Sequence, residues 1–384
     1  MGLFDDVPLN RREFIKAILK GGVAVSSLPL ALKLLGILEE PAYAELVQKM
    51  LVPHSRPLDN NRVQCLVCPF NCILKIKERS QCFTKQNDDG KLFTYAYHNP
   101  CIISVDPVEK MPLHHYLPGS QTLTLAIGGC NLHCLYCQNW QQSQKKPDEL
   151  KMAAKMDKDE TLSALKKKEL KILAFNYTEP VVMLEWIIEL SKFVRPKGYK
   201  VVIGTALYIN AEPLKALLDA VDGVVVGLKG FTEEFYKKVT GGTLKPVLDG
   251  LVKVKEEKKH LEVVNLVVPT YNDKEEDIKR MCEWFVKNLG AETPLHFSRF
   301  EPMYKLQNLP RTPLKTLETA HKMAKDCGIK FVYIDNLAPH PANDTYCPKC
   351  NKPLIKRVGL RILENSLKEG KCSQCGESIP GVWR

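Results

Sequence analysis

From Gln121 onward, short apolar runs alternate with longer amphipathic segments. Seven runs rich in β-branched residues predict strands: "TLTLAIGG", "KILAFNY", "KVVIGTALY", "GVVVGLKG", "LEVVNLVVP", "PLHFSRF" and "KFVYID". Segments between them, such as "VVMLEWIIELSKFVR" and "KEEDIKRMCEWFVKNL", have the spacing of amphipathic helices. Regular alternation of strand and helix predicts parallel strands joined by crossover helices. Because the strands are apolar throughout, we expect both of their faces to be buried. The pattern predicts an α/β fold, a partial (β/α)6 barrel over residues 118–335.

The first predicted strand leads directly into the stretch "AIGGCNLHCLYCQNW". This stretch places Cys130, Cys134 and Cys137 within eight residues, a segment that we call the triple-cysteine loop. Functional sites of parallel α/β folds lie at the carboxyl ends of the strands. The loop therefore falls where a site is expected.

The number of cysteines in this loop has a chemical meaning. Three thiolates can hold three irons of a [4Fe–4S] cluster. The fourth iron then keeps an open position, as the zinc of a catalytic site does. Such an iron can chelate the amino and carboxylate groups of S-adenosylmethionine. One electron from the reduced cluster then cleaves a sulfur–carbon bond and leaves a 5′-deoxyadenosyl radical, which abstracts hydrogen.

Two further groups of cysteines flank the predicted barrel. The chain holds 14 cysteines, most of them clustered at short spacings that favour metal sites over disulfides. The C-terminal pairs "CPKC" and "CSQC" predict a zinc ribbon over residues 336–384, with mononuclear iron or disulfides as alternatives. Its expected ligands are Cys347, Cys350, Cys372 and Cys375.

The N-terminal set lies in a cysteine-rich module predicted over residues 45–117. Four thiolates there suit either zinc or a second cluster that relays electrons, and disulfides compete if the protein is exported. The residues are Cys65, Cys68, Cys72 and Cys82. Histidines near these clusters, at positions 98, 114, 115 and 133, are assigned no role, since a lone histidine is more often packed or exposed than a ligand.

The first 44 residues are interpreted as a leader. Arg11 and Arg12 precede a modestly apolar stretch that is too short to span a bilayer, and "PAYA" follows with small residues before Glu45. This resembles a twin-arginine signal, which exports proteins already folded around their cofactors. An amphipathic helix with a chance arginine pair is the alternative. Export or membrane association through the leader is expected, with a cytoplasmic location as the alternative, since S-adenosylmethionine and low-potential donors are cytosolic.

Composition and charge exclude some classes of function. The 384-residue chain is 45% hydrophobic and 26% charged, as in a folded globular protein. The net charge is +11, but the lysines are dispersed along helical segments such as "LSALKKKELK". A nucleic-acid interface requires clustered basic residues with exposed aromatics, so no nucleic-acid partner is expected.

Several motifs together resemble a known family. "VQCLVCPFNC", "DPVEKMPLHHYLPGS", "GGCNLHCLYCQNWQQSQ", "FNYTEP" and "TYCPKC…CSQCG…IPGVW" are similar to the radical S-adenosylmethionine (SAM) enzymes of the AmmeMemoRadiSam system, relatives of pyruvate formate-lyase activating enzymes. The similarity runs from about Val63 to Arg384. It implies that the triple-cysteine loop ligates the [4Fe–4S] cluster. It also implies a low-potential electron donor and favours a protein or peptide substrate, with a partner from the same system as the candidate; modification of a small molecule or a nucleic acid is the alternative.

The same resemblance implies residues that bind the cofactor. Tyr136 precedes the last cysteine of the loop. Thr178 and Glu179, in "YTEP", fall where relatives contact the amino group of S-adenosylmethionine; a carboxylate at a helix N-terminus is the alternative for Glu179. The chain departs from the family at Gly227, where relatives often have aspartate, and at Ala206, where asparagine is common.

Two further candidates near the predicted barrel mouth stay undecided. Lys229 and Arg299 are each as compatible with a packing or surface role as with contact to a substrate. The catalytic residue itself is not identified. A radical SAM enzyme is the favoured function, and a non-catalytic iron–sulfur electron carrier or metal-binding scaffold is the alternative. A carrier needs a fourth cluster ligand, for which the nearest candidates are His133 and Cys101.

Overall fold

Six short strands form two small antiparallel sheets at the start of the described chain. The computed structural model describes residues 48–384, and the predicted leader lies outside the described residues. One sheet has the order β1-β6-β5 and the other β2-β3-β4. The strands are β1 (Met50–Leu51), β2 (Ser55–Leu58), β3 (Arg62–Cys65), β4 (Ile73–Leu74), β5 (Lys85–Asp88) and β6 (Lys91–Thr94).

An eight-stranded sheet follows, in which the spatial order of the strands is their order in sequence. Seven strands are parallel, and the eighth, β7, pairs antiparallel with the first of them. The strands are β7 (Ile102–Pro107), β8 (Gln121–Ala126), β9 (Ile172–Phe175), β10 (Lys200–Thr205), β11 (Gly223–Gly227), β12 (His260–Val267), β13 (Leu295–Arg299) and β14 (Val332–Asp335). Strands β7 and β14 are the two edges of this sheet, so the barrel is partial.

Helices connect each parallel strand to the next. They are α1 (Trp140–Ser143), α2 (Lys158–Lys167), α3 (Leu184–Val194), α4 (Ala211–Ala220), α5 (Glu233–Phe235), α6 (Lys245–Glu256), α7 (Glu275–Leu289) and α8 (Leu314–Asp326). A π-helical turn over Tyr236–Thr240 continues α5. All seven predicted strands and the helices between them are confirmed, giving six β/α units and a seventh parallel strand.

Burial explains why these segments take these structures. All four residues of β9 are buried, as its uninterrupted apolar sequence predicts for a strand covered on both faces. Helix α3 buries Trp186, Ile187, Leu190 and Val194, which share one face at helical spacing. Asp157 caps the N-terminus of helix α2: its carboxylate accepts hydrogen bonds from two backbone N–H groups in the first turn of the helix. The core therefore lies between the sheet and the outer layer of helices.

Strand β7 was not predicted as part of the barrel sheet. It lies within the segment assigned to the N-terminal module, and it pairs with β8 along its whole length. Its residues are mostly half-exposed, because it is an edge strand with one side unpaired. Hydrogen bonding thus joins that segment to the barrel sheet.

The C-terminal segment forms two small sheets around the last four cysteines. Its strands are β15 (Thr345–Tyr346), β16 (Pro353–Val358), β17 (Arg361–Asn365), β18 (Leu367–Lys368) and β19 (Lys371–Cys372). Phe331 and Tyr333, around β14, pack with Leu354 and Ile355 of this segment. Val382 exchanges two backbone hydrogen bonds with the 115–117 segment ahead of β8. Across residues 48–384, no helix has the length and apolar character needed to cross a bilayer.

Candidate active site

A large cavity opens at the carboxyl ends of the parallel strands. Its volume is about 790 Å³, and residues at the ends of four strands line it: Thr205, Gly227, Ser298 and Asp335. This is the end of an α/β barrel at which active sites form. The predicted position of the site is therefore where the structure has its main cavity.

The triple-cysteine loop forms part of this cavity wall. Cys130, Cys134 and Cys137 all line it. The backbone of the loop is held by the π-helical turn: His133 N–H donates to the Thr240 carbonyl at 2.8 Å, and Leu135 N–H donates to the Val239 carbonyl at 2.9 Å. The three predicted cluster ligands thus line one cavity from one fixed loop, although within the described residues they are not among the groups whose ligand atoms all lie within 4.8 Å of one another.

Burial raises the pKa of two of these thiols. It is the main cause that raises the pKa of Cys134 to about 11, and it raises the pKa of Cys130 well above the ordinary value, with the nearby Glu179 carboxylate adding to the effect. A metal must therefore displace thiol protons when it binds here. The buried position favours an occupant that neutralises the thiolate charge.

Gly129, just before the loop, is fixed by a close contact with the N-terminal module. Its φ is +100°, and a Cβ there would lie 2.5 Å from the carbonyl oxygen of Cys82. Only glycine accepts both the backbone conformation and this approach. The contact places the last cysteine of the N-terminal set beside the triple-cysteine loop.

The "YTEP" motif lines the cavity near the cysteines. Thr178 is buried, and its hydroxyl has no hydrogen-bond partner in the described chain. Tyr177, with φ of +68°, accepts a hydrogen bond from Asn139 Nδ2 to its carbonyl oxygen at 2.6 Å. A buried hydroxyl without a partner, on the wall of a cavity, is available to a bound molecule.

Glu179 lies on the same wall, but its carboxylate is already hydrogen-bonded. It accepts hydrogen bonds from Val181 N–H, Thr205 Oγ1 and Ala206 N–H. The first of these caps the 3₁₀ helix Pro180–Met183, which is the alternative role considered for this residue. Burial raises the pKa of Glu179, and the hydrogen bonds from Thr205 and Ala206 oppose that rise. The structure is therefore compatible with both roles.

Tyr136 is buried on the cavity wall between two of the cysteines in sequence. Its hydroxyl has no hydrogen-bond partner in residues 48–384. Burial, with nearby Cys134, raises the pKa of Tyr136 well above its ordinary value. The phenol is neutral and can donate a hydrogen bond to an occupant of the cavity.

The two departures from the family pattern have simple structural counterparts. A Cβ on Gly227 would lie 2.7 Å from Lys229 Nζ, so the lysine amine covers the space that an aspartate side chain would enter. Ala206 interacts with Glu179 through its backbone N–H, which any residue at that position supplies.

Of the two undecided candidates, only one lines the cavity. Lys229 is part of the cavity wall. Arg299 is not in that wall, and its Nε donates to the Thr312 carbonyl at 3.2 Å, anchoring a loop. Lys229 therefore stays a candidate for contact with a bound molecule, and Arg299 has a structural contact instead.

The C-terminal cysteines form a compact four-sulfur group. Cys347 Sγ lies 3.6 Å from Cys375 Sγ, and Cys350 Sγ lies 3.7 Å from Cys372 Sγ. Sulfurs on a tetrahedral zinc ion lie about 3.8 Å apart, given Zn–S bonds of about 2.3 Å. The geometry fits one tetrahedral metal ion.

The N-terminal cysteines converge less tightly. All four line a small cavity of about 10 Å³, which Lys85 and Asn131 also line. Within the described residues, this set is not among the groups of side chains whose ligand atoms lie within 4.8 Å of one another. Asn131 belongs to the triple-cysteine loop, between two residues that line the main cavity. The two cysteine sites therefore lie on opposite sides of one loop.

A third group on the cavity wall was missed by the sequence interpretation. His114, His296 and Asp335 offer ligand atoms within 4.8 Å of one another, and His114 and Asp335 line the main cavity. The only local signal was a histidine inside the apolar strand "PLHFSRF" and an aspartate at the end of "KFVYID". Nothing in the sequence pairs these positions with His114, which precedes the barrel.

The other histidines near the clusters lie outside the cavity wall. His98 pairs with Glu189 at 2.9 Å, His133 contacts Gln144 at 2.7 Å, and His115 contacts Tyr333 at 2.7 Å. Each of these three imidazoles therefore has a side-chain contact within the described chain.

Comparison with known proteins agrees with this geometry. The model of the "Radical SAM superfamily" matches residues 125–285, from the end of β8 into α7. The chain is 42% identical over 324 residues to "Uncharacterized protein MJ0808" of Methanocaldococcus jannaschii, covering 84% of this chain and 96% of that protein.

Two characterised relatives are more distant. A pyruvate formate-lyase-activating enzyme of Clostridium pasteurianum is 27% identical over 182 residues, covering 45% of this chain and 71% of that protein. A (2S)-3-sulfopropanediol dehydratase activating enzyme of Klebsiella oxytoca is 24% identical over 114 residues, covering 30% and 36%. The resemblance to radical SAM enzymes and to activating enzymes, drawn from the motifs, is confirmed. The chain belongs to the radical SAM superfamily and is an enzyme of that class.

Proposed function

We propose that this enzyme holds a [4Fe–4S] cluster on Cys130, Cys134 and Cys137, cleaves S-adenosylmethionine reductively and abstracts hydrogen from a protein substrate. One observation carries the proposal: the three cysteines of one loop line the same cavity as the "YTEP" motif. A cluster on that loop would present an open iron to the cavity. The family implies this cofactor pair, and the donor set fits it.

When bound, the cluster and S-adenosylmethionine supply a 5′-deoxyadenosyl radical. The residues of the chain position these groups and keep water out. The Thr178 and Tyr136 hydroxyls, buried and without partners, are the proposed hydrogen-bonding groups for S-adenosylmethionine. Glu179, on the same wall, is the proposed carboxylate partner of a positively charged amino group. The volume of about 790 Å³ lies within the range of about 300–1,000 Å³ typical of ligand sites.

The surroundings of two residues favour the enzyme over a non-catalytic electron carrier. A carrier needs a fourth ligand to close its cluster. His133 hydrogen-bonds Gln144, and Cys101 Sγ lies 3.6 Å from the Ala126 carbonyl oxygen; neither lines the cavity. With both candidates engaged elsewhere, the open iron of an enzyme is the better account of the three-cysteine loop.

The names of two relatives support a protein substrate. They are activating enzymes for pyruvate formate-lyase and for a dehydratase, which are themselves proteins. We infer that this enzyme likewise acts on a protein, with a low-potential donor as the source of the electron. A partner from the same system is the candidate substrate.

We further propose metals at both flanking cysteine groups. Zinc is proposed for the C-terminal ribbon because its four sulfurs have tetrahedral spacing. For the N-terminal set, zinc and a second cluster remain the two candidates. The contact between Gly129 and Cys82 favours the cluster, since it would put an electron relay next to the triple-cysteine loop. Metal analysis of iron and zinc in a Cys68→Ser variant separates the two candidates. Loss of about four irons relative to wild type supports a cluster, and loss of one zinc supports zinc.

The leader is proposed to act as a twin-arginine signal that leads to export or membrane association. Cell fractionation followed by immunoblotting tests this with Arg11 and Arg12 replaced by lysine. A shift of the variant to the cytoplasmic fraction supports the proposal, and equal distributions of variant and wild type contradict it.

The central experiment measures S-adenosylmethionine cleavage. The full-length chain is reconstituted with iron and sulfide without oxygen, reduced, and supplied with S-adenosylmethionine; 5′-deoxyadenosine is quantified by chromatography. Wild type is expected to form it and Cys134→Ala to form none. Cys101→Ala is the matched control, since it removes a thiol outside the cavity, and is expected to behave as wild type. No product from wild type with a loaded, reducible cluster would favour the carrier.

A further inference from the structure

A group of buried polar side chains beside the cavity is centred on one carboxylate. Glu262, on β12, is fully buried and accepts four hydrogen bonds. Two come from the backbone N–H groups of His114 and His115, at 3.0 and 2.8 Å. The other two are to His260 Nε2 at 2.9 Å and His296 Nε2 at 3.0 Å. Glu262 thereby fixes both the segment that carries His114 and the ring of His296.

The hydrogen bond from His296 to Glu262 decides which ring nitrogen is available. With Nε2–H donating to the carboxylate, Nδ1 faces Asp335, whose Oδ2 lies 2.9 Å away. A carboxylate behind an imidazole is the arrangement that orients histidines bound to metals. At this distance a proton links Nδ1 and Oδ2, and an ion bound between the two atoms would take the place of that proton.

The remaining distances also fit a coordination sphere. His114 Nε2 lies 3.9 Å from Asp335 Oδ1, too far for a hydrogen bond. Metal–ligand bonds of about 2.0–2.1 Å place ligands at right angles about 2.9 Å apart and opposed ligands about 4.1 Å apart. Both observed distances fall within this span. His114 is buried, and the other nitrogen of its ring, Nδ1, has no hydrogen-bond partner in the described chain, so no hydrogen bond at Nδ1 holds the ring away from an ion at Nε2.

We propose that His114, His296 and Asp335 bind a divalent transition metal ion whose open position faces the main cavity. Two imidazoles and one carboxylate suit zinc, iron(II), cobalt(II) or manganese(II) and disfavour calcium and magnesium, which take oxygen ligands. His114 and Asp335 line the cavity and His296 lies behind them, so the open position is directed toward a molecule within it.

The place of this site suggests what the metal does. The triple-cysteine loop follows β8, whereas His296 and Asp335 lie on β13 and β14, toward the other edge of the sheet. The metal would bind a carboxylate or carbonyl oxygen of the substrate and hold it across the cavity from the cofactor. This anchoring role rests on the proposed function, but metal binding itself does not.

Cobalt(II) is the probe, added without S-adenosylmethionine or reductant, so the result is independent of radical chemistry. Thiolate ligands give cobalt an intense near-ultraviolet charge-transfer band, and histidine and carboxylate ligands give weak visible bands alone. In addition to the cobalt bound at its thiolate sites, full-length wild type is expected to bind one further equivalent of cobalt that gives only the weak visible bands. His114→Gln and Asp335→Asn are expected to lose that equivalent and keep the thiolate signal, which reports that the ribbon is folded.

His98→Gln is the matched control, since it removes a buried, hydrogen-bonded imidazole elsewhere, and is expected to bind as wild type. A second measurement needs no variant: proton NMR of the cobalt-loaded wild type is expected to contain two exchangeable, strongly shifted imidazole N–H signals, which an all-cysteine site cannot give. Equal binding by wild type and the His114 and Asp335 variants, or absence of these signals, would overturn the proposal and leave a hydrogen-bond network only.

Discussion

A buried ion pair joins the N-terminal sheets to the barrel. Lys85, on β5, and Glu185, on α3, have side chains only 1% and 2% exposed, and Lys85 Nζ lies 3.1 and 3.3 Å from the two carboxylate oxygens. Burial disfavours the charged amine, but Glu185 and the neighbouring Cys65 and Cys82 outweigh it and raise the pKa of Lys85. The raised pKa keeps the Lys85 amine charged at neutral pH.

Lys85→Met is expected to destabilise the protein strongly. The methionine fills much of the lysine volume but leaves the Glu185 carboxylate buried without its partner. Removing one member of a buried pair costs about 3–5 kcal/mol. Since about 1.4 kcal/mol is a factor of ten, the unfolding equilibrium constant should rise more than a hundredfold. Urea denaturation followed by circular dichroism measures this change.

Two controls separate the lost pair from a general effect of the substitution. The double variant Lys85→Met, Glu185→Leu removes both charges and is expected to recover most of the lost stability. Lys245→Met breaks the exposed pair with Asp249 and should cost about 0–1 kcal/mol. A loss below about 1 kcal/mol in Lys85→Met, or a double variant as unstable as the single, would refute the reasoning.

Three further predictions concern other parts of the chain. Cys372→Ser should lose one equivalent of zinc, by metal analysis of the purified protein, because three thiolates hold the ion weakly; unchanged zinc contradicts this. Hydrogen bonds from Lys110 and adjacent side chains outweigh the effect of burial and lower the pKa of Asp106. The Asp106 carboxylate therefore contributes to stability above about pH 4, and this contribution disappears as the pH falls through the pKa of the folded state. The stability difference between wild type and Asp106→Asn should therefore shrink in acid, in urea titrations at several pH values, and a constant difference down to pH 3 argues against it. Gly129→Ala should cost about 1–3 kcal/mol from backbone strain, plus the clash with Cys82, in urea titrations.

Gly198→Ala is the matched control for the last of these. Gly198 also has positive φ, +87°, but no atom lies within 4 Å of the added Cβ. Its variant should show the backbone cost alone. Equal losses at both positions would mean that the contact between Gly129 and Cys82 adds nothing.

Local patterns in the sequence were enough to predict the barrel. Strands such as β9 are buried on both faces and so read as continuous apolar runs, and the triple-cysteine loop lies within one short segment. Strand β7 was missed because an edge strand has a weaker hydrophobic pattern. It also follows the cysteine-rich segment, which suggested a separate module.

Contacts between distant segments could not be predicted in this way. The alternation of apolar and polar residues along β12 does not indicate that Glu262 accepts hydrogen bonds from the backbone of His114 and His115. Likewise, Gly129 and Cys82 meet only because the fold brings their backbones together. Asparagine is common in relatives at the position of Ala206, yet the contact with Glu179 is made here by a backbone N–H that no side-chain pattern encodes.

The contact between Val382 and the 115–117 segment also constrains how the protein is made. His115 Nδ1 lies 2.7 Å from the Pro380 carbonyl oxygen, across 265 residues of sequence. At about 5–20 residues per second, a ribosome needs roughly 13–53 s to synthesise that interval. Glu262, the other partner of this segment, is itself synthesised only 147 residues after His115. The growing polypeptide therefore spends most of its synthesis with the 115–117 segment lacking its C-terminal partner, which makes docking of the ribbon a late step in folding.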